Sequence, residues 1–187
     1  MLTQYYTATT LDGYIADPDH SLDWLLDVPS PSSLDERFER FLAKVGALVM
    51  GASTYLWIVE HENLLDDPAA WQRVYGARPT FVVTHRDLPV VPGVDLRFVQ
   101  GDARQWHSQA VDAAAGGNVW MVGGGDLAGQ LADVGLLDEL VIGVAPATLG
   151  AGAPLLPRRI RSERLRLAAV EQEGAFAMLT YRLAPPS

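Results

Sequence analysis

There is no cysteine anywhere in the 187 residues. That excludes disulfides, thiolate metal sites and cysteine nucleophiles, and it agrees with a reducing compartment. Positive charge is also scarce: 14 Lys and Arg stand against 23 Asp and Glu, for a net charge of -9. Such a balance repels nucleic acid and anionic membranes unless the basic residues cluster, so neither is an expected partner. The one cluster, Arg158, Arg159, Arg161, Arg164 and Arg166, reads as a solvated loop running into a strand with a charged face. No apolar run approaches bilayer-spanning length. The start, MLTQYYTATT, has no basic segment leading into an apolar one and does not read as a signal peptide. His20, His61, His85 and His107 are scattered without metal-ligand spacing, so no metal is expected. G-x-S-x-G and G-K-[ST] are both missing, which removes the nucleophile elbow and the P-loop. The expectation is a cytoplasmic protein with one domain over residues 1–187, and a hydrophobic content of 49% is ample for its core.

What is present is organised around NVWMVGGGDLAGQLADVG, residues 118–135. Val119 to Val122 reads as a buried strand, Gly123, Gly124 and Gly125 follow, and Asp126 opens a segment with helical spacing of Leu127, Leu131 and Val134. Glycines let a ligand approach main-chain N–H groups, and the helix start behind them favours negative charge, so phosphate is the natural guest. A tight connection with a packing role fits the same letters. The motif formally satisfies G-x-G-x-x-A, yet it lies in the last third of the chain, and the next strand ends in Ala145 and Pro146 without the acid a Rossmann site needs.

The remaining pattern alternates strands and helices. Residues 2–9 read as a strand broken at Gly13 and Pro18, and residues 17–33 as a long loop with an isolated Trp24, of the kind that often covers a site. A helix starts near Ser33, with Glu36 completing a capping box and Leu34, Phe38, Phe41, Leu42 and Val45 on one face, and it stops at Gly46. Residues 47–50 form a strand that runs into Gly51, Ser53, Thr54 and Tyr55, a second strand–glycine–helix junction. A short helix is expected at 69–75, strands at 80–84 and 96–99, a helix at 103–115, and a strand at 140–144. Two alternating segments joined through Glu173 and Gly174 read as a closing hairpin. The expected fold is α/β: a three-layer α/β/α sandwich whose mixed, mainly parallel sheet of about eight strands ends in an antiparallel hairpin.

The ordered set LDGYIA, Trp24 in a long loop, VMGASTY, VVTHRD, MVGGGD and a closing hairpin resembles the dihydrofolate reductase fold. Within it, the set is similar to the C-terminal domain of the bacterial riboflavin-biosynthesis reductase RibD and its stand-alone relatives, over nearly the whole chain. The resemblance implies NADP(H) with its phosphates at the two glycine junctions: Gly51, Ser53 and Thr54 at the first, and Val122, Gly123, Gly124, Gly125, Asp126 and Leu127 at the second. It implies a cis peptide between Gly123 and Gly124. It places the adenosine 2′-phosphate at Thr84, His85 and Arg86, where a guanidinium suits a dianion and a plain polar turn is the alternative. Ala52 stands where the family usually has an arginine, which removes one phosphate ligand. The acid of the substrate pocket falls on Asp35, which as a first-turn acid is equally explained by the helix dipole. Tyr14, Trp24 and Tyr55 are candidate pocket walls or core aromatics.

Two functions follow. One is a reductase that delivers hydride to a small heterocycle under residues 12–35, with protonation by water or Asp35. Dihydrofolate-like and aminouracil-type substrates, the latter like 5-amino-6-(5-phosphoribosylamino)uracil, are both open. The other is a non-catalytic binder of a nucleotide or small ligand. A homodimer is implied for either.

Overall fold

Buried apolar residues run without a break through Ala47, Leu48, Val49 and Met50, and again through Val119, Trp120 and Met121. Neighbouring side chains in a strand point to opposite faces, so such a run needs cover on both sides. The computed structural model, which describes residues 1–186, supplies that cover as helical layers on the two faces of a large sheet. The strands are β1 (Thr3–Thr10), β2 (Tyr14–Ala16), β3 (Val45–Gly51), β4 (Thr80–Val83), β5 (Leu96–Val99), β6 (Asn118–Gly123), β7 (Glu139–Ala145), β8 (Ala153–Pro154), β9 (Leu165–Glu173) and β10 (Phe176–Leu183). The helices are α1 (Asp23–Leu26), α2 (Ser32–Leu42), α3 (Ala52–His61), α4 (Ala69–Tyr75), α5 (Ala103–Ala113) and α6 (Gly125–Asp133). Eight strands form the main sheet in the order β5-β4-β3-β6-β1-β7-β10-β9, and β2 pairs with β8 apart from it. The strands from β5 to β7 are parallel, while β10 runs antiparallel to both β7 and β9. This is the expected mixed sheet with its terminal hairpin.

Alternation decides the layers. Tyr5, Val49, Phe81, Met121 and Ile142 face α5 and α6, whereas Leu48, Met50, Val82 and Trp120 face α2, α3 and α4. Helix α2 is fastened by aromatic edges: Phe41 meets Tyr6 at 4.6 Å and Trp120 at 5.4 Å, and Phe38 meets Trp120 at 5.4 Å. Each such pair contributes about 0.5–1.5 kcal/mol beyond area burial.

Three local expectations need correction. The capping box does not form, because Pro31 is the N-cap and the Ser33 hydroxyl instead donates to Glu173 Oε2 at 2.6 Å, tying α2 to the hairpin. Val45 belongs to β3, since α2 ends at Leu42, whose carbonyl accepts from Arg78 Nη2 at 2.7 Å while Arg78 Nε donates to Val45 O at 2.9 Å. Gly46 is therefore a strand residue, and its role is close approach: a Cβ there would run into the carbonyl of Ala114. The long loop also holds the one-turn α1 and is flanked by β2.

At the rim where the parallel strands begin, His107 is buried with its Nε2 2.7 Å from Thr3 Oγ1. Burial holds its pKa below the ordinary value, against the opposing pull of Asp138. With the folded value depressed, the unfolded chain takes up the proton first as pH falls. Stability is therefore expected to lose this contribution as pH drops below about 6.5. Thermal melts across that range should show a shallower decline for His107→Gln, and an unchanged decline would assign the effect to other groups.

Candidate functional site at the strand C-termini

Register brings the sequence motifs together. Met50 pairs with Gly123 and Gly51 pairs with Val83, so the ends of β6, β3 and β4 stand side by side at one rim of the sheet. From that rim α3 leaves β3 toward one helical layer, and α6 leaves β6 toward the other. Adjacent strands whose connections part in this way open a crevice between their carboxyl ends, the place where open α/β sheets bind ligands.

The three glycines at the end of β6 have different tasks. The Gly123–Gly124 peptide is cis, as the resemblance implied. A Cβ on Gly123 would lie 2.8 Å from Thr54 Oγ1, and one on Gly125 would run into the carbonyl oxygens of Pro154 and Leu155. These two positions serve close packing. A Cβ on Gly124 would meet nothing within 4 Å. It would project beside a cavity of about 230 Å³, lined by Thr7, Ile15, Ser53, Thr54, Gly123 and Gly124 among others. The N-caps of α3 and α6 are Gly51 and Gly124, and neither helix has a side-chain cap. Two helix N-termini thus present first-turn N–H groups and the positive ends of their dipoles at the crevice. Asp126, in the first turn of α6, would oppose an anion, but its carboxylate accepts from Gln130 Nε2 and from Arg158 Nη2, both at 2.9 Å. Those two bonds hold its pKa below the usual carboxylate range, Gln130 contributing most.

Beyond β4, the Arg86 N–H donates to Thr84 Oγ1 at 2.9 Å, and His85 Nδ1 lies 3.0 Å from Gln100 Oε1. The turn is thereby shaped by its own side chains. Arg86 is exposed, and among the described residues its guanidinium has no ion pair. Ala52 occupies the first position of α3 and offers no charge.

A second cavity, of about 500 Å³, opens next to the first and shares Thr7, Leu22, Thr54, Trp57 and Val122 with it. Asp35 lines only the larger one. Its position follows from helix geometry: Leu34, Asp35 and Phe38 are neighbours on one face of α2, and Phe38 is pinned on Tyr6 and Trp120. The Trp120 indole donates to Tyr6 O at 3.1 Å, which leaves its ring as wall. Burial raises the pKa of the Tyr6 hydroxyl, opposed by the Arg37 guanidinium.

Residues 3–177 match the sequence profile of the RibD C-terminal domain. The chain belongs to the RibD C-terminal domain family. The uncharacterized protein YwjB of Bacillus subtilis (strain 168) is 30% identical over 183 residues, 96% of each chain. A protein provisionally assigned to riboflavin biosynthesis in Shewanella sp. PV-4 has a solved structure with 27% identity, a TM-score of 0.77, and coverage of 98% of this chain and 99% of that one. The dihydrofolate reductase of Enterococcus faecalis, solved with NADP(H), shares the fold at 17% identity and a TM-score of 0.61, over 97% of this chain and 96% of that one. This RibD C-terminal domain therefore has a dihydrofolate reductase-like fold of the RibD reductase type.

Within this family member, Ser53, Thr54, Val122, Gly123 and Gly124 line the cavities, while Gly51, Gly125, Asp126 and Leu127 stand at the same strand ends outside the lining and Thr84, His85 and Arg86 lie one strand further out. Tyr14, Trp24 and Tyr55 lie outside the lining of both cavities. Tyr14 sits in β2 opposite Pro154, and Tyr55 is buried with its hydroxyl donating to Pro89 O at 2.6 Å. Trp24 packs on Ala145, Phe176 and Met178, beneath the segment it anchors, so Leu22, Leu25 and Leu26 become the wall instead. Sequence reasoning passed over Thr7, Trp57 and Asp12. The Asp12 carboxylate accepts from Thr10 Oγ1 at 2.5 Å and Gly150 N at 2.7 Å, holding the loop that continues to Pro154 and Leu155 against Gly125. A D-G pair after a strand signals a turn and says nothing of that partner. Among the described residues no cluster of three or more His, Asp or Glu is placed to hold a metal, and no helix is long and apolar enough to cross a membrane.

Proposed function

We propose that this chain is an NADPH-dependent reductase acting on a small aromatic heterocycle. The observation that carries the reading is the pair of joined cavities: one lies against the glycine junctions, and the other continues from it through Thr7, Thr54, Trp57 and Val122 to Asp35. The residues present fit a dinucleotide. Open space stands where a Gly124 side chain would project, and two uncapped helix starts face it. When bound, NADPH supplies hydride for a C=N or C=O bond.

This chain's residues do the rest. Main-chain N–H groups at Ser53, Thr54 and Gly125 to Leu127 bind phosphate oxygens. Thr84, His85 and Arg86 take the 2′-phosphate, with Arg86 as the only free cation of that turn among the described residues. Thr7, Trp57 and Val122 form the shared wall that sets the two bound groups side by side, and most of the rate enhancement comes from that positioning. Asp35 accepts N–H bonds from the ring edge, and it or a water delivers the proton. The α1 segment shields the chamber through Leu22, Leu25 and Leu26.

Titration with NADPH, followed by fluorescence or calorimetry, is expected to show binding below millimolar concentration. Absence of binding there ends the proposal. Arg86→Ala should weaken NADPH by about tenfold, about 1.4 kcal/mol, and leave NADH unchanged; equal loss for both would remove Arg86 from the 2′-phosphate. Ala52 favours a second reading, a binder without turnover, because it leaves the first junction without its cation. Oxidation of NADPH with any member of a pterin, aminopyrimidine and quinone panel dismisses that reading.

A further inference from the structure

The large cavity is charged in one way only. Among its described lining residues there is no Lys, Arg or His, and the single formal charge is Asp35. Its remaining surface is dominated by rings and aliphatic groups, with Tyr6, Phe38, Trp57, Tyr75, Trp120 and Phe176 as the aromatic walls. Leu25, Leu26 and Val28 belong to the lining as well, and Leu26 is 55% exposed, so this apolar wall runs out to solvent. Asp23 and Asp27, both exposed, lie in the same stretch of chain and add negative charge outside the lining.

The guanidinium nearest in sequence to Asp35 is already used. Arg37 pairs with Glu171 at 2.7 Å and approaches Glu173 at 3.8 Å, so two carboxylates neutralise it. A phosphate dianion entering here would lose its hydration, meet no Lys, Arg or His among the lining side chains, and face Asp35. The smaller cavity differs in that its lining holds no carboxylate and includes Ser53 and Gly124 at the uncapped starts of α3 and α6.

We infer that the substrate of this cavity is an unphosphorylated, neutral or cationic aromatic heterocycle carrying an apolar substituent that lies along Leu25, Leu26 and Val28. The phosphoribosylated aminouracils among the substrates that the family resemblance allows do not match this charge pattern. The inference rests on the reading of the large cavity as the substrate chamber. It does not require that hydride transfer occur.

The test compares three matched probes without cofactor: 6-(benzylamino)uracil, 6-(ribitylamino)uracil and the 5′-phosphate of the latter. Binding is followed by quenching of tryptophan fluorescence, since Trp57 and Trp120 are in the wall. The benzyl compound is expected to bind at least about tenfold more tightly than the phosphate, with the ribityl compound between them. Leu26→Lys, a change at an exposed side chain, should narrow the gap by strengthening the phosphate. Tightest binding of the phosphate, equal binding of all three, or no binding of any up to about 1 mM, the weak end of specific recognition, overturns the inference. NADPH titration is scored separately, so a preference for the benzyl compound in a protein that ignores NADPH would sink the reductase reading alone.

Discussion

Replacing Gly124 with valine is expected to abolish NADPH binding without unfolding the protein, whereas replacing Gly125 with alanine is expected to damage the fold first. The two residues are adjacent in sequence and opposite in surroundings. At Gly124 the backbone is extended, with φ -84 and ψ 154, which suits a β-branched residue, and no atom stands within 4 Å of a Cβ there. A valine would occupy space in the cavity of about 230 Å³ beside it. The expected loss of affinity is about 100-fold or more, about 2.7 kcal/mol, with a melting temperature close to that of the unaltered protein. At Gly125 the obstacle is backbone, the carbonyl oxygens of Pro154 and Leu155, which cannot swing away as a side chain does. Overpacking of this kind costs about 1–3 kcal/mol, and for a chain of this size each kcal/mol lowers the melting temperature by about 2–4 °C. Intact NADPH affinity in Gly124→Val, measured on folded protein, would show that the open space is not where the dinucleotide lies.

The same contrast explains what could be read from the letters and what could not. Runs such as ALVM and VWMV need cover on both faces wherever they occur, so parallel strands and flanking helices were legible, and β5 and α4 fall on the expected residues. The hairpin was legible because its two strands alternate. The pairing of β2 with β8 was not, since it joins Tyr14 to Pro154 across the chain and neither partner carries a local signal. Glycine was the most ambiguous letter: Gly46 suggested a helix stop, yet it admits the Ala114 carbonyl, and nothing in GGG tells that the middle residue faces space while the outer two face atoms. Aromatic residues stayed open between wall and core for a geometric reason. Tyr55 and Trp57 lie two positions apart on α3, which puts them on opposite sides of the helix, and only contact with the sheet decides that Tyr55 enters the core while Trp57 reaches the cleft. Asp35 was singled out by the family resemblance, and the structure puts it in the lining of the larger cavity.

Asp35→Asn is expected to lower kcat/KM for NADPH-dependent reduction by about 10² to 10⁴, the usual contribution of a positioned proton-transfer group, and to leave NADPH affinity unchanged. The separation follows from placement, since Asp35 lines the larger cavity and has no part in the smaller one against the glycines. A purely structural role makes a different forecast. As a first-turn acid of α2 it would contribute about 0.3–1 kcal/mol through the helix dipole, which a melting curve would register as a shift of a few degrees at most. Asparagine keeps the shape and one acceptor, so the ring edge can still dock while the ionisable carboxyl, and with it any proton transfer, is lost. A fall in turnover with a nearly constant melting temperature therefore assigns Asp35 to the substrate. The reverse outcome, constant turnover with a small loss of stability, returns it to the helix start and leaves solvent as the proton source for this chamber.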